Sequence, residues 1–153
     1  MLNKSVLEQS LLRIIDKDNQ DFIGFSNSVY EAALLFADSF YNYINEIIPV
    51  STAHSAAKMS FISIFSGINR YNYRTQFNLA YITYVSIMAN GMQPTFTPIL
   101  PPTQLDLVPI FDKSIREYLK ASEVANLMAD KIHTYVKSGK ATNNNSGTVV
   151  SWN

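Results

Sequence analysis

The chain has 153 residues, with 12 basic and 12 acidic side chains, two histidines, no cysteine, 47% hydrophobic residues and 16% charged ones. That length and apolar content fit one globular domain with a real core and exclude global disorder. Zero net charge argues against nucleic acid as a partner, since counterion release needs clustered Lys and Arg; the lack of cysteine excludes disulfides and Cys-ligated zinc or iron–sulfur sites.

Charge is scarce against the roughly 25% of an average soluble domain. The 16 Ser and 14 Asn together outnumber all charged residues. Two explanations fit: a surface that largely faces other protein, because interface cores lose charge and gain Tyr, Phe and Met, or a genome biased toward Asn, Ile and Tyr codons. Placement says more than the sum. Residues 1–46 are net acidic, whereas residues 47–105 hold Lys58, Arg70 and Arg74 and no acid at all. Such a stretch is either the buried centre of the fold or a surface covered by a partner. The start, Met1-Leu2-Asn3-Lys4-Ser5-Val6-Leu7-Glu8, lacks a basic segment leading into an apolar one, so synthesis and folding in a cytoplasm are expected.

In chain order, Leu7, Leu11, Ile14 and Ile15 recur at helical spacing after Ser5 and predict a helix over 3–16. Asp16-Lys17-Asp18-Asn19-Gln20-Asp21 then forms a polar loop. It superficially suggests a calcium loop but has Asp21 where the sharp turn needs Gly and Asn27 where a bidentate Glu belongs. Ser28 and Glu31 have the spacing of a capping box, and Val29, Ala33, Phe36, Phe40, Tyr43 and Ile47 run down one face until Pro49. Ser51 or Thr52 is expected to cap a third helix to about Phe65, with Gly67 as a left-handed stop. Residues 75–89 predict a fourth helix, apolar nearly all round, hence central, and too short to span a bilayer. A last helical region runs over 112–136 with a break near Ser122.

Five of the six prolines fall at Pro94, Pro98, Pro101, Pro102 and Pro109, interleaved with Phe96, Ile99, Leu100, Leu105, Leu107 and Val108. Proline holds the chain extended, so residues 92–110 read as an apolar arm. It lies either on its own bundle as a crossover or on a neighbouring subunit. Residues 140–153 read as a polar extended tail that turns β-prone at Val149 and Val150 before the only tryptophan, Trp152. A free tail gains nothing from apolar side chains, so this one docks, into its own core or onto a neighbour.

Catalytic chemistry has little support. His54 and His133 lie in no recognisable motif, and the five glycines form no phosphate loop. Asp130 and His133 share a helix face, but no second His/Asp pair completes a metal site, and an ion pair is the simpler reading. No catalytic residue, cofactor or metal is therefore expected.

Gly91-Met92-Gln93-Pro94-Thr95-Phe96, the following Pro101-Pro102, and the ending from Ser138-Gly139-Lys140 through Thr142-Asn143 and Ser146-Gly147 to Trp152 carry a resemblance. Over its last third the chain resembles small virion structural proteins of tailed bacteriophages, in which a helical body is followed by a Gly-x-x-Pro-Thr proline run, another helix and a Thr-x-Asn-x-x-Ser-Gly tail closing on Trp. Members are rich in Ala, Gly and Pro, where this chain is rich in Asn, Tyr and Ser. The resemblance implies a component of the phage tail, baseplate or neck.

The expectation is an all-α fold: a bundle of four to five helices in one domain, 1–139, with the arm at 92–110 and the tail at 140–153. The expected function is a non-enzymatic virion subunit that assembles with copies of itself and other virion proteins, without nucleic acid or membrane. Its contacts are Phe96, Ile99, Leu100, Leu105, Leu107 and Val108 of the arm, and Val149, Val150 and Trp152 of the tail. The alternative is a cytoplasmic adaptor or regulator that binds one protein and is a monomer with its arm folded back.

Overall fold

The computed structural model describes residues 1–153: helices α1 (Lys4–Ile15), α2 (Val29–Ile44), α3 (His54–Ser66), α4 (Tyr73–Asn90), α5 (Val108–Glu117) and α6 (Ala121–Lys137), and strands β1 (Phe96–Ile99), β2 (Lys140–Asn143) and β3 (Val149–Ser151). The strands form one antiparallel sheet in the order β1-β2-β3. The fold is thus mostly helical, and the all-α expectation is corrected by the sheet.

Local chemistry accounts for the helix ends. Asn3, rather than Ser5, caps α1 by accepting the Ser5 amide at 3.0 Å, and Leu7, Leu11 and Ile14 are buried. In the polar loop Asp16 accepts the Asp18 amide and Asn19 the Asp21 amide, so these side chains close turns. Ser28 accepts the Glu31 amide at 3.1 Å, while Glu31 reaches one residue further back, to the Asn27 amide at 2.6 Å. Helix α2 stops at Ile44, short of Ile47, although Ile47 remains fully buried; Val29, expected on the inner face, is exposed. Neither Ser51 nor Thr52 is the α3 cap residue. Ser51 Oγ donates to the Met88 carbonyl at 2.6 Å and Thr52 N–H to the Gly91 carbonyl at 3.0 Å, fastening the α2–α3 connection to the end of α4. A Cβ on Gly91 would strike Ser51 and the Ala53 backbone. Gly67 has φ −83°, so it is no left-handed stop; a left-handed residue instead ends α5, Tyr118 with φ 51°, where α5 breaks from α6.

Helices α1 and α2 pack together, α1 lies along α6, and α3 packs on α4. An aromatic spine joins them. Phe40 of α2 meets Tyr81 and Tyr84 of α4 edge-on with centroids 4.9 Å apart, and Phe61 of α3 meets Tyr81 at 5.0 Å. Edge-to-face pairs add about 0.5–1.5 kcal/mol each to their burial. The sparse cations of residues 47–105 are engaged: Lys58 pairs with Asp38, Arg74 with Asp112, and Arg70 sits 4.5 Å over the Tyr71 ring.

The arm and tail are the main corrections. The proline-rich segment folds onto its own bundle: Phe96–Ile99 is an edge strand, Leu105 and Leu107 are buried, and Val108 begins α5. Pro98 is tolerated because β1 is an edge. The Asn143 amide donates to the Thr148 carbonyl and the Trp152 amide to the Gly139 carbonyl, so residues 139 and 143 bond toward β3; Ala141 between them faces β3 too, and Pro98 opposite it directs its missing donor outward. The tail is a hairpin rather than an extended segment. Asn143 Oδ1 accepts the Asn145 and Ser146 amides, Gly147 turns with φ 70°, and Asn144 donates to the Pro94 carbonyl at 2.6 Å, binding the hairpin to the arm.

Trp152 is fully buried, its indole seated on Gly139 so closely that any Cβ there would overlap the ring. Its amide donates to the Gly139 carbonyl at 3.0 Å, and Asn153 and Ile48 exchange backbone bonds at 2.8 and 3.0 Å. Trp152→Ala is expected to cost about 3–5 kcal/mol in urea unfolding through the cavity it leaves. Gly139→Ala should also destabilise, by about 1–3 kcal/mol, through overpacking. A Gly139→Ala protein as stable as the parent would show that the indole does not occupy this seat.

Candidate interaction surface

The sheet has two faces, and the period-2 rule sorts the predicted contact residues between them. Phe96 and Val150 point inward and are half-buried, packed against the core. Ile99 and Val149 lie on the outer face with 44% and 54% of their surface exposed, and Leu100 follows β1 with 47% exposed. Ile48, hydrogen-bonded to Asn153, and Val50 add exposed apolar side chains at the same end of the molecule. The predicted set therefore divides. Ile99, Leu100 and Val149 are available to a neighbour, Val108 is half-buried at the start of α5, and Leu105, Leu107 and Trp152 are corrected to core residues.

Backbone groups add to this surface. The bonds Trp152 to Gly139 and Asn143 to Thr148 place even-numbered residues of β3 toward β2, so Val149 and Ser151 turn their amides and carbonyls to the open edge. Lys140, between Ile99 and Ser151, is the only charged residue of the three strands.

A second exposed apolar segment follows the polar loop. Between the polar loop and α2, Ile23, Phe25, Val29 and Tyr30 are 45%, 71%, 42% and 58% exposed, and Phe25 rests on Phe22 with ring centroids 5.0 Å apart. The signal was Phe22-Ile23-Gly24-Phe25, an apolar run just before the helix cap. Beneath α5 there is also an open apolar groove of about 350 Å³, lined among others by Phe36, Phe77, Phe111, Val124 and Met128, with Ser114 its one polar side chain.

The histidines face tyrosines. His133 Nδ1 lies 2.8 Å from the Tyr43 hydroxyl, joining α6 to α2, and His54 Nδ1 lies 3.3 Å from the Tyr84 hydroxyl, joining α3 to α4. Asp130 is bonded to Lys4 at 2.6 Å instead of to His133. No three His, Cys, Asp or Glu side chains are gathered as a metal would need, and no helix is long and apolar enough to cross a membrane.

Burial lowers the pKa of His54. Burial, then Lys137 and Lys4, lowers that of His133 against the opposing pull of Asp130. Burial raises the Tyr43, Tyr81 and Tyr84 phenols. Below the ordinary histidine value of about 6.5 the unfolded chain then binds more protons than the folded one, so stability falls with falling pH. Above about 10 the unfolded chain releases phenolic protons that the folded one retains, and stability falls again. Urea midpoints measured across pH should form a plateau between these limits, and His133→Gln should flatten the acid side; an acid slope unchanged in both His133→Gln and His54→Gln would contradict the assignment.

Comparison with protein-family models, curated proteins and solved structures finds no match to the chain.

Proposed function

We propose that this protein is a non-enzymatic structural subunit of a tailed-phage particle, in its tail, baseplate or neck, and that it acts by binding copies of itself and other virion proteins. The observation that carries the reading is the outer face of the sheet. There the arm contributes Ile99 and Leu100, the tail contributes Val149, and only Lys140 is charged. Exposed apolar surface with little charge is what an interface core requires. The resemblance of the arm and tail motifs to small virion proteins supports the same class. The mechanism is binding alone: burying apolar area at about 25 cal/mol per Å² favours association, the loss of motional freedom opposes it, and a closed ring multiplies contacts that are weak singly.

A second reading, an adaptor that binds one protein partner, draws support from the arm folded onto its own bundle through β1 and the buried Leu105 and Leu107. Sedimentation velocity over a concentration series separates the two. A structural subunit should form defined multimers that a Leu100→Lys, Val149→Lys double variant reduces to monomer while leaving its circular dichroism unchanged. A chain that stays monomeric at every concentration contradicts self-assembly and favours the adaptor.

A further inference from the structure

We infer that the chain associates with itself head to tail, the α1–α2 loop of one copy docking on the outer sheet face of the next. This rests on the structural-subunit reading and names its partner, a second copy, and its two surfaces.

The two surfaces are at opposite ends of the molecule. Helix α2 has 16 residues, and at 1.5 Å per residue it is about 24 Å long. Its N-terminus carries Val29 and Tyr30, next to Phe25. Beyond its C-terminus, Ile48 is hydrogen-bonded to Asn153, directly after β3. A surface at each end cannot satisfy itself within one copy, and joining unlike ends is the geometry that closes into a ring or extends into a filament.

Their charges are opposite. Residues 16–31 hold Asp16, Asp18, Asp21 and Glu31 against a single lysine, and none of these four acids is in an ion pair. Residues 137–153 hold Lys137 and Lys140 and no acid, and neither lysine is ion-paired. The acid nearest in sequence to Ile48 is Glu46, which is in no ion pair, so this end carries two lysines against one acidic side chain. Each surface thus combines exposed apolar side chains with a net charge, acidic at the loop, where Lys17 and the neighbouring Lys120 offset part of the four acids, and basic at the sheet. Like surfaces repel while unlike ones attract, which selects the head-to-tail pairing over either symmetric one.

The test uses two surface variants of the full chain, Phe25→Ser with Tyr30→Ser and Leu100→Ser with Val149→Ser, each first verified as folded by near-ultraviolet circular dichroism. Alone, each should sediment as a monomer. Mixed in equal amounts they should give a dimer and nothing larger, because each retains one intact surface complementary to the other's. Raising salt from about 0.05 to about 0.5 M should weaken wild-type association about tenfold, since exposed charges are screened. If the loop variant assembles like the wild type while the sheet variant does not, the head-to-tail pairing is wrong and the structural-subunit reading survives. If the wild-type chain itself never associates, both self-assembly proposals fail together.

Discussion

The structure depends on the seat of Trp152 on Gly139. Helix α6 ends two residues before that glycine, and the chain returns seven residues after Asn145 to lay an indole where no other residue type at position 139 would admit it. Through that contact the hairpin is held to the bundle, and through the hairpin the arm is held too, by the β1–β2 ladder and by Asn144 reaching Pro94. The same strand end grips Ile48 beyond α2. One buried aromatic side chain therefore ties together segments about a hundred residues apart, which offsets the entropy of closing so long a loop.

The price of that arrangement is that the sheet has an outer face with nothing on it. A three-stranded sheet packed on helices buries one side, and here the other side carries Ile99 and Val149 around a single lysine. At the far end of α2 the α1–α2 connection leaves Phe25 and Tyr30 in solvent among unpaired acids. Two such surfaces on one bundle suit the proposed role of joining neighbours, in which the difference in their net charge would set the direction of the joining. In the proposed role the helical core supplies rigidity, so little ordering entropy is lost when contacts form.

Much of the bundle was legible in sequence because its signals are local. The Ser28–Glu31 spacing and the Ala33, Phe36, Phe40 and Tyr43 row are set within a few turns, and α2 follows them. The sheet was not legible. Its strands have three or four residues, β1 contains a proline, and the Asn, Ser and Gly that build the hairpin turn have the composition of a free tail. Only pairing across dozens of residues distinguishes the two. The contact residues show the same limit: Leu105, Leu107 and Trp152 look identical in sequence to Ile99, Leu100 and Val149, and burial by distant elements alone separates core from surface. The loop surface at Phe25 is hidden for a different reason: its apolar residues lie outside any periodic segment, so no helix or strand pattern marks them.

Hydrogen exchange at low and high protein concentration tests most directly whether the chain works by joining its two ends. Slowing confined to the Val149 and Ser151 amides, the neighbourhood of Leu100 and residues 22–30 at high concentration is the predicted result. Exchange independent of concentration at all of these positions, or slowing only around the groove beneath α5, would contradict it.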